Sequence, residues 1–168
     1  MPEILSYTNI LKQTDIFYKL TLTQLEMIGQ ICQEKTYQTG EIIVHEGSDT
    51  DDLYIIISGE VDILVNPALV SDHPGAEYDS VSIATLRRGQ SFGEIALVDK
   101  GVRSATVRAL QNKTRVLIIP RQKLLLMCDT YPQLGYRLMQ NLATYLAMKM
   151  RSTDLRIRAE LLYGNNQK

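Results

Sequence analysis

The stretch Tyr54–Val65, YIIISGEVDILV, decides the fold class of this chain. Its two halves are short runs of β-branched, aromatic and aliphatic residues, which suit a pleated, half-buried surface. They meet at Ser58–Gly59–Glu60, where glycine tolerates the positive φ of a tight turn. Two strands folded on each other at Gly59 are therefore expected. Val61, Ile63 and Val65 alternate on one face of the second strand, and Ala105, Val107 and Ala109 repeat the pattern further on. Outward from here, Gly40, Gly47, Gly75, Gly89, Gly93 and Gly101 punctuate short runs rich in Val, Ile, Thr and Tyr. Turn signals at intervals of roughly 8–12 residues predict a sandwich or barrel of many short strands between Gly40 and about Ile119. Within it, Asn66–Ser80 holds Pro67, Pro74, Gly75 and acidic residues, and reads as one long exposed excursion.

Both flanks carry the helical period. Leu22, Leu25, Ile28 and Cys32 recur at three- and four-residue steps, so residues 3–36 read as short helices with a corner at Phe17–Leu20. Thr21 or Thr23 stands ahead of Glu26 in a capping arrangement, and Gly40 serves as the stop. A short helical segment at Gln122–Cys128 leads to Tyr131–Pro132, with the proline suited to a helix's first turn. From Gln133 to about Tyr163 the residues Met139, Leu142, Leu146, Met150, Thr153 and Ile157 form a stripe. The organisation is one domain over 1–168: helices in 1–39, β-structure in 40–119, helices in 120–168.

Composition narrows the function. Of 168 residues, 45% are apolar and 22% charged, as in a soluble globular domain rather than a disordered chain. The net charge of −1 argues against a dedicated nucleic-acid binder, which needs a basic excess. No apolar run approaches the roughly 18 residues of a membrane span, and MPEILSYTNI lacks the pattern of a secretory signal. Cys32 and Cys128 are widely separated, and read as small buried hydrophobes in a reducing cytoplasm. His45 and His73 have no second ligand at metal spacing, and Asp49–Asp52 lacks the rest of a calcium loop, so no metal is expected. No serine has a recognisable elbow or base partner, so no enzyme is expected either.

The chemistry lies in Arg88–Val107, RGQSFGEIALVDKGVRSATV. If Glu94–Leu97 forms a single helical turn, the free N–H groups at its amino end attract an anion. Arg103 adds a guanidinium, whose fork matches phosphate oxygens. Glu94 cannot bind phosphate, because an ionised carboxylate only accepts hydrogen bonds. It needs a donor beside the phosphate, and a ribose hydroxyl is one. An acid for a sugar, with an arginine and amides for a phosphate, describes a nucleotide site. The competing reading is an internal Glu94–Arg103 ion pair that ties the turn together in a domain without ligand.

Phe92-Gly93-Glu94-Ile95-Ala96-Leu97, five residues, then Arg103-Ser104-Ala105-Thr106 resembles the phosphate-binding cassette of the cyclic nucleotide-binding domain family. The spacing is similar to that of cAMP-dependent protein kinase regulatory subunits. Outside cassette 92–106, LKQTDIFYKLTLTQLEMI resembles the family's amino-terminal helices, and GEIIVHEGSDTDDLYIIISGEVDILV its first strands. The resemblance implies a mainly β fold: a double-stranded β-helix (β-roll or jelly roll) with N-terminal helices and a long C-terminal helix. It also implies roles. Glu94 and the Gly93 amide would hold the ribose 2′-hydroxyl, and Arg103 would pair with the cyclic phosphate. The Ala96 amide and Ser104 would contact phosphate oxygens, with Ile95 and Ala105 completing the cassette. Val44, Ile63 and Ile83 would form the apolar wall. The Met and Tyr residues of the last helix read as packing groups, with Tyr145 and Met150 the two candidates to cover the base.

The sequence departs from the family in two places. Bacterial members such as the catabolite activator continue into a DNA-reading domain; this chain stops at Lys168, so no nucleic-acid partner is expected. Counted without gaps from Pro132, the activator's adenine-reading pair falls on Lys149–Met150, which cannot repeat those hydrogen bonds. Thr144, Ser152 and Thr153 stand nearby. The expectation is a non-enzymatic sensor of cAMP, ahead of cGMP, in which residues 120–168 act as hinge and lid and report to a protein effector. The other class of function is a degenerate β-roll that mediates assembly without nucleotide. The apolar stripe outruns the small barrel, so a weak homodimer through the helix from Pro132 to about Tyr163 is expected.

Overall fold

Strand β3, Leu53–Ser58, is buried on both faces, which explains its unbroken apolar run. Leu53 and Ile55 point into one core and Tyr54 and Ile56 into another, as the two-residue period of a strand requires. The computed structural model describes residues 2–70 and 79–164. Within these limits the chain runs through helix α1 (Pro2–Gln13), a 3-10 turn (Asp15–Phe17) and helix α2 (Leu22–Ile31). It then enters the strands β1 (Gln33–Tyr37), β2 (Ile42–Val44), β3 and β4 (Glu60–Val65). After a 3-10 turn at Pro67–Val70 come β5 (Val81–Arg87), β6 (Ser91–Phe92), β7 (Thr106–Ala109) and β8 (Thr114–Ile119). Helices α3 (Arg121–Thr130) and α4 (Pro132–Tyr163) complete it.

The strands form two four-stranded antiparallel sheets, ordered β1-β8-β3-β6 and β2-β7-β4-β5. Tyr37, Val44, Ile56, Val61, Val107 and Val116 fill the space between them. The outer face of the first sheet carries Leu53, Ile55, Leu117 and Ile119, which pack on Leu11, Phe17, Leu25, Ile28, Leu124 and Leu138 of the helices. This is the jelly-roll architecture with N-terminal helices and a long C-terminal helix that the sequence implied. Among the described residues, no helix is long and apolar enough to cross a membrane.

Three local expectations change. Ser58–Gly59–Glu60 is not a hairpin turn. β3 and β4 do not pair, and the chain crosses from one sheet to the other at Gly59, whose φ is +85°. The helical reading of residues 3–36 ends too late: α2 stops at Ile31, and residues 33–37 form β1, paired with β8 from Gln33↔Ile118 to Tyr37↔Thr114. Cys32 continues the apolar stripe, but an open edge of β8 offers five polar-leaning residues a full ladder that a further helical turn does not. Accordingly, Gly40 is a turn residue between β1 and β2 rather than a helix stop. The cap of α2 is Thr21, paired with Gln24 rather than Glu26: the Gln24 amide donates to Thr21 Oγ1 at 3.3 Å and the Thr21 amide to Gln24 Oε1 at 2.9 Å. Of the Asn66–Ser80 excursion, residues 71–78, His73 and Gly75 among them, lie outside the described residues.

The cysteines behave as packing groups. Burial pushes the Cys32 thiol up to about 12 and the Cys128 thiol up to about 11, so both are protonated at neutral pH. Helix α4 is anchored unevenly. Leu134, Leu138 and Leu142 are fully buried in the helical core, each stabilising by about 1.5–3 kcal/mol, whereas Met150, Leu155, Leu161 and Leu162 are exposed.

A Cβ placed on Gly59 falls 2.4 Å from Thr114 Oγ1 and 3.0 Å from the Thr114 Cα, in a backbone conformation that L-residues avoid. Thr114 is itself fully buried. Gly59→Ala is therefore expected to cost about 2 kcal/mol or more, read as a lowered urea midpoint with unchanged slope. A midpoint equal to that of the parent protein would show that the crossing tolerates a side chain.

Candidate functional site

The site hangs from β3. Phe92, the last residue of β6, pairs with Tyr54 and stacks flat on its ring, with centroids 4.8 Å apart and planes 1° from parallel. The next residue, Gly93, has φ +79° and turns the chain into a 3-10 turn at Glu94–Leu97, the single helical turn the sequence predicts. The Ala96 amide closes that turn on the Gly93 carbonyl at 3.3 Å. From α3, Arg121 holds its far end: Nε donates to the Ala96 carbonyl at 2.6 Å and Nη2 to the Leu97 carbonyl at 3.4 Å. Arg121 was not legible as part of the site, since it lies outside the motif and acts on backbone oxygens.

Arg103 arrives from the other side. Its backbone is fixed to the turn after β2, its amide donating to the Ser48 carbonyl and its carbonyl accepting from the Gly47 amide, each at 2.8 Å. Arg103 is 7% exposed. Nε donates to Thr50 Oγ1 at 3.0 Å, Nη2 to the Asp52 carbonyl at 2.6 Å and Nη1 to the Gly93 carbonyl at 3.4 Å, while the group sits 5.6 Å from the centre of the Tyr54 ring. All of these partners are neutral. Taking a charge out of water without a counter-charge is costly, so this cation is set for an anion.

Glu94 is 3% exposed. It does not pair with Arg103, so the internal ion pair of the competing reading is not formed. Instead Oε1 accepts from the Lys149 ammonium of α4, while the buried Oε2 has no partner. Lys149 also lies 4.7 Å from the centre of the Tyr145 ring. Burial alone would lower the lysine's pKa, but the Glu94 carboxylate and the Tyr145 phenol outweigh it and hold it above its ordinary 10.5. A raised lysine pKa means that the contribution of the ammonium is present below the ordinary value and is lost as pH climbs through the raised one.

Glu94 and Arg103 border one cavity of about 630 Å³. Gly93, Ile95, Ala96, Ser104 and Ala105 line it from the cassette, Val44, Ile63 and Ile83 from the strands, and Lys149 from α4. Tyr145 does not line it. One turn before Lys149, it borders a separate polar hollow of about 260 Å³ beside Gln13, Asp15 and Arg88. Met150 is 70% exposed, because the residue after Lys149 projects about 100° around the helix. The helix face that meets the cavity is Lys149, Ser152, Thr153 and Arg156, the spacing of one side of a helix. Thr144 is excluded; its hydroxyl donates back to the Gln140 carbonyl at 3.0 Å. On α4, Arg156 is the lining residue that sequence reasoning missed, although its place seven residues after Lys149 was the available signal. Among the described residues, no group of three or more side chains is arranged to hold a metal ion.

The sequence profile of the cyclic nucleotide-binding domain matches residues 34–131, and the chain belongs to that family. The chain is 29% identical over 147 residues to the cyclic AMP receptor protein of Thermus thermophilus, covering 88% of this chain and 62% of that protein. It is 32% identical over 110 residues to the cAMP-dependent protein kinase regulatory subunit of Schizosaccharomyces pombe, covering 66% of this chain and 23% of that one. A cyclic nucleotide-binding domain from Methylobacillus flagellatus superimposes with a TM-score of 0.75 at 22% identity, over 94% of this chain and 83% of that one, a likeness of fold. The chain thus spans less than two thirds of the curated relatives it matches here.

Gly93 is the tightest point of the site. A Cβ there falls 2.6 Å from Arg103 Nη1 and 2.9 Å from the Asp52 carbonyl oxygen, again at positive φ. Gly93→Ala is expected to lower stability by about 2 kcal/mol or more in urea unfolding, through backbone strain and a displaced guanidinium. Parent-like stability would mean that Arg103 is not held in this cradle.

Proposed function

We propose that this protein is a non-enzymatic sensor of a cyclic nucleotide, cAMP ahead of cGMP. One observation carries the reading: a guanidinium with only neutral partners and a carboxylate with one buried, unpartnered oxygen belong to residues that border the same cavity. A cyclic nucleotide answers both. Its phosphate supplies the anion for Arg103, and its ribose 2′-hydroxyl supplies the donor for Glu94 Oε2. The Gly93 amide joins Glu94 at the sugar, Ser104 attends the phosphate together with the Ala96 amide, which exchanges its long 3.3 Å bond to the Gly93 carbonyl, and Val44, Ile63 and Ile83 pack against the sugar and base. The preference for cAMP is supported by the names of the receptor and the kinase subunit that this chain resembles. On α4, Ser152 stands where its hydroxyl can reach the base, whereas the Thr153 hydroxyl donates back to the Lys149 carbonyl at 3.0 Å.

Residues 120–168 then serve as hinge and lid, and the lid reports occupancy to a protein effector. Ligand shifts the lid only by binding its two positions with different affinity. The half of α4 beyond Leu146 offers Met150, Leu155, Ile157 and Leu161 to solvent, so a weak homodimer through this helix is part of the proposal. Sedimentation equilibrium is expected to show a mass rising with concentration from 19.0 kDa toward twice that value. A constant monomer mass would exclude the dimer.

Isothermal titration with cAMP and cGMP tests the main reading. Arg103→Ala is expected to lose about a hundredfold or more in affinity, because charge-assisted bonds are worth about 1.5–3 kcal/mol each. Glu94→Gln is expected to weaken ribose nucleotides by about tenfold and 2′-deoxy analogues little. Heat-free titrations with both nucleotides would favour the assembly module instead.

A further inference from the structure

The cassette motif accounts for Glu94 but not for the group that holds it. A buried carboxylate with no counter-charge would oppose the arrival of an anionic ligand a few ångströms away, since like charges interact strongly where water is excluded. Here the counter-charge comes from α4, not from the cassette: the Lys149 ammonium occupies Glu94 Oε1 and leaves Oε2 bare. Lys149 reaches Glu94 from a point where α4 has left the helical core, since Leu142 is fully buried but residues 147–163 are exposed. Beyond Lys149, Arg156 Nη1 reaches the Ile83 carbonyl of the roll at 3.5 Å.

We propose that Lys149 is a positioning residue for ribose recognition, acting through Glu94 rather than on the nucleotide base. It fixes the carboxylate so that Oε2 is the acceptor presented to the cavity, and it neutralises that carboxylate beside the phosphate. The same bond ties the outer half of α4 to the sugar-binding group, so seating of the helix and reading of the 2′-hydroxyl share one carboxylate. The inference rests on the nucleotide-binding reading above and assigns it a residue outside the cassette.

The test is isothermal titration of the full chain with cAMP and with 2′-deoxy-cAMP, for the parent protein, Lys149→Met and Lys149→Arg, after far-UV circular dichroism has shown each variant folded. The parent is expected to prefer the ribose form by about tenfold or more. Lys149→Met is expected to lose about tenfold in cAMP affinity and to bind the two forms within about threefold of each other. Lys149→Arg is expected to restore both affinity and preference, because the charge and the donor return. A residue that merely stabilised α4 would weaken both ligands equally and leave their ratio alone. An unchanged ratio in Lys149→Met therefore overturns this inference while the nucleotide-binding reading stands. Failure of the parent protein to bind either nucleotide overturns both.

Discussion

Strand β3 has no solvent face, and most of the molecule follows from that. A strand with one wet face could be covered by a single layer, but Leu53 and Ile55 demand helices while Tyr54 and Ile56 demand a second sheet. The two cores are thereby built on opposite sides of one strand, and displacing β3 would open both. The functional groups are referred to the same strand. Phe92 reaches its place by stacking on Tyr54, the cassette turn starts at the following residue, and the Arg103 guanidinium stands against the Tyr54 ring. Asp52, just ahead of the strand, gives its carbonyl to that guanidinium. The buried Arg103 cation is thus positioned by the strand on which both cores are built.

Charge is handled differently in the site and on the surface. The Arg115–Glu34 and Arg87–Glu60 pairs join neighbouring strands, with the arginines 44% and 72% exposed. Such pairs are worth little, about 0–1 kcal/mol, because water and salt screen them. Glu94 and Arg103 are in the opposite regime, where burial makes an unmatched charge costly and a matched one strongly directional. Their separation is the informative part. Pairing the two with each other would have satisfied both; in this structure each turns to other groups and keeps capacity for a ligand.

The fold was legible where the determinants are local. The period-two runs, the glycines between them and the Pro132 helix start are written within a few residues, and the Phe92–Thr106 spacing is a property of one loop. What was not legible depends on a distant partner. Residues 33–36 carry a helix-compatible pattern, and only the free edge of β8 makes them a strand. Gly59 signals a sharp reversal, but a hairpin and a crossing between sheets use the same residue; the buried Thr114 facing it is what differs. The cassette residues converge as their motif implied, whereas the contribution of α4 depended on the helix's rotation. That rotation puts Lys149 and Arg156 at the cavity and moves Tyr145 and Met150 off it.

Helix α4 is also a beam clamped at one end. Leu134, Leu138 and Leu142 form the clamp, and at 1.5 Å of rise per residue the part beyond Lys149 extends about 21 Å to Tyr163. The Lys149–Glu94 bond acts close to the clamp, at the short arm. A tilt of about 10° about Leu142, at the end of the clamp, moves Lys149 by about 2 Å and the tip by about 5 Å, a geometric gain set by helix length alone. A shift at the Glu94 carboxylate too small to disturb the packing of the roll becomes, at the far end, a displacement comparable to the width of a side chain.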